Sequence, residues 1–161
     1  MTGPVATGPV VIGVGNEFRR DDGVGLAVLD LLRSRVPASV RLAASDGEPA
    51  RMIEEWAGAP LAVVVDALPP GPAGAGIAAG QVRRVVVDEV GSAPAGTASS
   101  HGLGLGEAVG LGRVLGRMPG RLVIYAVRAA DCGYGTGLHP AVAAAAKDVA
   151  AAVLEELGTG G

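Results

Sequence analysis

The sequence has 161 residues, a formal net charge of −3 and 49% hydrophobic residues, but only 2% aromatic residues. This length and composition favour a single globular domain whose core is built mainly from Val, Leu, Ile and Ala. The charge balance gives no support for a nucleic-acid-binding protein or for attachment to an anionic membrane, and no apolar run reaches the length of a membrane-spanning helix.

The cellular location and domain limits follow from the cysteine count and the two ends of the sequence. The single cysteine, Cys132, cannot form an internal disulfide bond, and the first residues lack the basic and apolar regions of a secretory signal. We therefore expect a cytoplasmic protein. Residues 1–8 are expected to form a flexible lead-in and residues 159–161 a flexible tail, with one α/β domain over residues 9–158.

The first predicted strand, residues 10–14, is a short apolar run that leads directly into a glycine-rich loop. Gly13 and Gly15 permit backbone turns that a Cβ atom would obstruct. Asp21 and Asp22 follow at the predicted start of the first helix, where one carboxylate is enough to cap the free N–H groups. The second carboxylate is left to point toward solvent or into a site.

A dinucleotide-binding loop is an alternative for this stretch, because Gly13-Val14-Gly15 begins like the motif Gly-x-Gly-x-x-Gly. The third glycine position is occupied by Phe18, which does not support a close approach of the helix to a pyrophosphate. Two carboxylates at the helix start would also repel the phosphates. We therefore do not expect a nucleotide cofactor here.

Strands alternate with helices along the rest of the chain. Further strands are predicted at residues 40–44, 61–66, 81–87 and 122–127, and helices at residues 22–35, 49–57, from about 101 to 116, and from 139 or 140 to 157. Arg83 and Arg84 make the strand at 81–87 the most polar one, so it is predicted to be an edge strand. The pattern predicts an α/β three-layer sandwich, with a twisted, mainly parallel sheet of about five strands and helices on both faces.

Ligands of such folds bind beyond the carboxyl ends of the strands. Acids that end or follow predicted strands are therefore expected at that edge of the sheet: Asp22, Asp46, Asp66 and Asp131. Asp66 ends the most apolar strand, where a buried carboxylate without a partner would be costly. From its position alone, Asp66 either closes a turn or pairs with an arginine, or it serves as a ligand or general base.

Two histidines and one cysteine are further candidates for chemistry. His101 opens a helix after a long loop, and together with two carboxylates it would make a donor set for a borderline divalent metal. His139 precedes Pro140 and is expected only to start the last helix. Cys132 would suit a cysteine hydrolase with a histidine as base, although no motif surrounds it. Neither Gly-x-Ser-x-Gly nor His-Glu-x-x-His occurs, so a serine hydrolase elbow and a zincin are not supported.

Several short motifs occur in a fixed order. They are Gly13-Val14-Gly15-Asn16 followed by Asp21-Asp22-Gly23, then Asp46-Gly47, then Val64-Val65-Asp66-Ala67, then Ser99-Ser100-His101-Gly102-Leu103-Gly104-Leu105, and finally Gly137-Leu138-His139-Pro140. This ordered set resembles the hydrogenase maturation protease family, the endopeptidases that process the large subunit of [NiFe] hydrogenases. The resemblance extends from about residue 10 to about residue 157. The opening motif is fairly specific, and the ordered set is much more so.

The resemblance implies that Asp22, Asp66 and His101 are the metal-contacting and catalytic residues, with Asp21 kept as the helix cap. It implies a nickel-dependent endopeptidase, aspartic-type or metal-assisted, whose partner is the immature [NiFe] hydrogenase large subunit. The nickel would be supplied by that substrate, and no organic cofactor is expected. The enzyme would recognise the inserted nickel and then remove a C-terminal extension.

By the same resemblance, Asp46 and Gly47 are candidates for substrate binding.

Two other functions stay open: a metal- or partner-binding maturation factor without peptidase activity on the same fold, and a small-molecule hydrolase that uses Cys132. Residues 128–132 are less typical of the family, which bears on the choice of substrate more than on the fold.

Overall fold

The computed structural model describes residues 8–70, 78–87 and 103–158. The strands in these ranges are β1 (Val10–Val14), β2 (Arg41–Ser45), β3 (Ala62–Leu68), β4 (Val82–Val87) and β5 (Leu122–Arg128). The helices are α1 (Val24–Leu32), α2 (Pro49–Trp56), α3 (Leu103–Leu115) and α4 (Pro140–Glu156), and a 3-10 turn, Arg20–Gly23, leads into α1. The order of the elements is the predicted one.

All five strands belong to one sheet, in the order β2–β1–β3–β5–β4. β2, β1, β3 and β5 are parallel, whereas β4 pairs with β5 in the antiparallel direction. β1 and β3 are buried along their whole length, in keeping with the apolar runs at residues 10–14 and 62–65. β4 forms one edge and exposes its first three residues, so the edge position predicted from Arg83 and Arg84 is confirmed.

Helices pack on both faces of this sheet. α1 and α4 cover one face, where they contact Val63 and Val65 of β3 among other residues. α2 and α3 cover the opposite face, which includes Val64, because successive side chains of a strand point to opposite sides. The predicted three-layer α/β sandwich is confirmed.

A group of three side chains fastens the edge strand β4 to α4. Arg84 donates its Nε hydrogen to Oε1 of Glu156 at 2.7 Å, and the hydroxyl group of Tyr125 donates to the same oxygen at 3.0 Å. The hydrogen bond to Glu156 raises the pKa of Arg84, and burial raises the pKa of Tyr125. The arginine stays charged and the tyrosine neutral, as this arrangement requires.

Two predicted element boundaries are wrong in ways that affect the site. Asp66 does not end its strand, because β3 continues to Leu68 by pairing with the last residues of β5. α1 begins at Val24 rather than at Asp22, because the chain first forms the 3-10 turn, in which Asp22 donates its N–H to the carbonyl oxygen of Arg19 at 3.1 Å.

The domain limits stay a prediction. Residues 1–7 and 159–161, which make up most of the expected lead-in and tail, lie outside the described residues, as do residues 71–77 and 88–102. In the described ranges, no helix has both the length and the apolar character that crossing a membrane requires.

Candidate functional site

The loop after β1 is tight, so the 3-10 turn that follows it packs against the sheet. Gly15 has a φ of +143°, and a Cβ atom at this position would lie 1.8 Å from the carbonyl oxygen of Asp22. A Cβ atom at Gly25 would lie 2.5 Å from the carbonyl oxygen of Val65. Glycine is required at both positions, and together they allow the segment that carries Asp22 to lie against β1 and β3.

Asp21 is completely buried, and its carboxylate binds a segment far along the chain. Oδ2 accepts the backbone N–H groups of Ala130 at 2.7 Å and Asp131 at 3.0 Å, and Oδ1 accepts that of His139 at 2.8 Å. Neither the 3-10 turn nor α1 has a side-chain cap, so the predicted capping role of Asp21 is wrong. A buried carboxylate needs several donors, and the segment after β5 supplies three of them.

Asp22 is half-buried and lines a cavity of about 270 Å³. The other lining residues are Arg19, Ala67, Pro69 and Cys132. Asn16 donates its backbone N–H to Oδ2 of Asp22 at 2.9 Å, which orients the carboxylate. Of the two adjacent acids, Asp22 is therefore the one that reaches an open cavity.

Asp66 lies inside β3, but at the level where β1 ends. Because Gly13 of β1 is paired with Val65, Asp66 falls beside the last residue of β1. Asp66 is only 9% exposed, and its Oδ1 accepts the backbone N–H of Ala67 at 2.8 Å. Ala67, which follows Asp66 directly, lines the same cavity as Asp22. The structure therefore places Asp22 close to the segment of β3 that carries Asp66.

His101 lies outside the described residues, and α3 begins two positions later in the sequence, at Leu103. Among the residues that the structure describes, no cluster of three or more His, Cys, Asp or Glu side chains is arranged to hold a metal ion. The grouping of Asp22, Asp66 and His101 as one set of metal contacts therefore stays a prediction.

Cys132 lines the cavity but is a poor candidate for a nucleophile. Burial raises the pKa of its thiol, and the negative charges of Asp22 and Asp21 raise it further, whereas Arg19 lowers it. The thiol is therefore protonated at neutral pH. His139, one of the two candidate bases, uses its Nδ1 to accept a backbone N–H at 3.1 Å at the start of α4. The predicted helix-start role of His139 is confirmed.

Asp46 and Gly47 lie in the turn between β2 and α2. Oδ1 of Asp46 accepts the backbone N–H of Glu48 at 3.0 Å, and Gly47 has a φ of +92°. Asp46 lines a second cavity, of about 320 Å³, whose wall also includes Gly15. The turn therefore lies near the loop after β1 that leads to Asp22, but it lines a different cavity from that of Asp22.

Sequence reasoning missed Arg19, which lies at the border of the Asp22 cavity. Its Nε donates to the carbonyl oxygen of Cys132 at 3.0 Å, and its guanidinium carbon lies 5.3 Å from the ring centroid of Tyr134. An arginine beside acids is an ordinary surface pattern. The sequence feature that could have indicated this region is Tyr134, an aromatic residue in a glycine-rich loop of a chain with very few aromatic residues.

No protein-family model matches the sequence, and no curated protein matches it. Solved structures match nearly the whole chain. The hydrogenase maturating endopeptidase HybD from E. coli is 25% identical, with a TM-score of 0.73, and the match covers 93% of each chain. The resemblance to the hydrogenase maturation protease family is confirmed.

Two further structures show how well the fold is kept as identity falls. An endopeptidase from Escherichia coli is 24% identical with a TM-score of 0.75, and the match covers 94% of each chain. The [NiFe] hydrogenase maturation protease HybD from Thermococcus kodakarensis is 17% identical with a TM-score of 0.71, over 92% of this chain and 98% of that one. At these identities the likeness is one of fold, and it extends over at least 92% of this chain and at least 94% of each of those two chains.

Proposed function

We propose that this chain is an endopeptidase that recognises nickel in the immature large subunit of a [NiFe] hydrogenase and removes its C-terminal extension. The observation that carries the proposal is the likeness to E. coli HybD, a hydrogenase maturating endopeptidase, across 93% of the chain. A cytoplasmic location is part of the proposal, because Cys132 is a free thiol and the cytosol keeps thiols reduced. Since one fold can serve several functions, the residues of the site also have to suit this activity.

Two carboxylates near the carboxyl edge of the sheet support the proposed metal contacts. Asp22 lines the cavity after β1, and Asp66 lies in β3 directly before Ala67, which lines the same cavity. The 3-10 turn that carries Asp22 contacts β3, so the two acids belong to adjoining parts of one edge. We assign both to contact with the nickel of the substrate.

The direction of α3 supports His101 as the third contact. A Cβ atom at Gly112, near the end of α3, would lie 3.6 Å from the indole nitrogen of Trp56, which ends α2 just before β3 begins. The end of α3 therefore lies toward the amino ends of the strands. A helix of 13 residues is about 20 Å long, so its start at Leu103 lies toward the carboxyl ends, where Asp22 is. His101 precedes Leu103 by two residues.

Two carboxylates and an imidazole suit a borderline divalent ion such as nickel, and they leave coordination positions for ligands from the substrate. Cleavage would then depend on nickel insertion, because the three side chains complete the coordination of the metal only when nickel is already present in the large subunit. Nickel is then part of the substrate, and no organic cofactor is needed. Held by these residues, the nickel of the substrate would polarise the scissile carbonyl group or activate a water molecule.

We assign Asp46 and Gly47 to positioning the substrate. Their turn borders the second cavity, and Gly15 joins the wall of that cavity to the segment of Asp22. A polypeptide that lies along the carboxyl edge would therefore meet this turn and the Asp22 cavity in succession.

The test is to incubate the protein with an unprocessed large subunit in nickel-loaded and nickel-free forms and to follow the C-terminal extension by mass spectrometry. We expect loss of the extension from the nickel-loaded form only. The variant Cys132→Ala should cleave at the wild-type rate, because the thiol is protonated at neutral pH.

Other outcomes favour the other functions. Binding of the nickel-loaded substrate without cleavage would favour a maturation factor that has no peptidase activity. Equal cleavage of both forms would contradict nickel recognition. Loss of activity in a correctly folded Cys132→Ala variant would favour a hydrolase that uses the thiol.

A further inference from the structure

Two of the few aromatic residues in this chain are exposed at the same edge as the candidate site. The sequence contains one Phe, two Tyr and one Trp. Trp56 is completely buried and Tyr125 is 4% exposed, whereas Phe18 is 63% exposed and Tyr134 is 84% exposed. An exposed aromatic side chain forgoes the free energy of burial, and such side chains are enriched where proteins bind one another.

Backbone hydrogen bonds hold the segments of Phe18 and Tyr134 together. Gly135 donates its N–H to the carbonyl oxygen of Phe18 at 2.9 Å, and Arg20 donates its N–H to the carbonyl oxygen of Gly135 at 3.0 Å. Arg20 has a φ of +51°, which is unusual for a residue with a Cβ atom, so the pairing outweighs a local conformational cost. The two rings are therefore presented by one paired unit.

Arg19 connects the two rings to the Asp22 cavity. It follows Phe18 directly, and its guanidinium group lies 5.3 Å from the ring centroid of Tyr134, the distance of a cation–π contact. Arg19 also lines the cavity of Asp22. The surface formed by Phe18, Arg19 and Tyr134, here called the aromatic rim, is therefore continuous with the candidate site.

We propose that the aromatic rim is the docking surface for the substrate polypeptide, where an apolar side chain of that polypeptide packs on the two rings. The inference rests on the proposed function, because a chain whose scissile bond reaches the Asp22 cavity must pass the residues that border it. Aromatic residues and arginine are the types that dominate the binding energy of protein interfaces. A second copy of this chain on the rim would cover the cavity, so a dimer through this surface contradicts the proposal.

The experiment compares the double variant Phe18→Ser with Tyr134→Ser against a matched control, Val114→Ser with Leu115→Ser. The control residues are also apolar and exposed, by 83% and 54%, and they lie on α3. For cleavage of the nickel-loaded large subunit, we expect KM of the rim variant to rise about 10- to 100-fold with kcat changed less than about threefold. The control should change KM less than about twofold.

A direct binding measurement separates this proposal from the proposed function. Binding of the nickel-loaded large subunit that is weakened in the rim variant supports docking, even where the wild-type protein does not cleave. Cleavage with an unchanged KM in the rim variant overturns the docking surface and leaves the proposed function intact. Equal weakening in the control variant also overturns it, as does a wild-type dimer that becomes monomeric in the rim variant with KM unchanged.

Discussion

Two parts of the carboxyl edge of the sheet are built in different ways. In the joined loops, residues 16–23 and 129–139, the carboxylate of Asp21 accepts N–H groups 109, 110 and 118 positions away. In the turn between β2 and α2, Asp46 accepts the N–H of Glu48, two positions away. The first arrangement fastens distant segments together, whereas the second shapes a local turn. Acids that follow strands at one edge therefore serve different purposes, and burial distinguishes them.

Removing the carboxylate of Asp21 should have the largest effect on stability. The variant Asp21→Ala leaves three N–H groups without their acceptor, so we expect the free energy of unfolding to fall by about 3–5 kcal/mol. Asp46→Ala is the matched control and should lose less than about 1 kcal/mol, because it removes one exposed local hydrogen bond. Urea unfolding followed by circular dichroism measures both. Equal losses would contradict the difference between the two parts of the edge.

The ionisation of Cys132 should report the charge of Asp22 and not that of Asp46. Burial is the main cause of the raised pKa of the thiol, and the charge of Asp22 comes next. Asp22→Asn removes a negative charge that opposes the thiolate, so the pKa should fall and alkylation by iodoacetamide should begin at lower pH. Asp46→Asn should leave the pH profile of alkylation in place. An unchanged profile in Asp22→Asn would contradict the position of Asp22 beside Cys132.

The fold could be predicted because its signals are local in the sequence. β1 and the first four residues of β3 are apolar runs, and the prolines at positions 49 and 140 mark the starts of α2 and α4. The edge position of β4 followed from two arginines within it.

The role of Asp21 could not be predicted, because its partners are backbone N–H groups more than a hundred positions away, and such groups leave no mark in a sequence. β3 extends beyond Asp66 because its last residues pair with the last residues of β5. The length of β5 cannot be predicted from the residues of β3. The sequence does show two adjacent acids after β1, Asp21 and Asp22, where one is enough to cap a helix. Which of the two acids is buried is decided by the segment after β5.

We propose that Asp22 acts on the substrate, while its buried neighbour Asp21 holds the joined loops together. The most direct measurement is the cleavage of a nickel-loaded, unprocessed large subunit by Asp22→Asn. The asparagine oxygen can still accept the N–H of Asn16, so we expect a free energy of unfolding within about 1 kcal/mol of the wild type. We expect no removal of the C-terminal extension. A folded Asp22→Asn variant that cleaves at the wild-type rate would contradict this account.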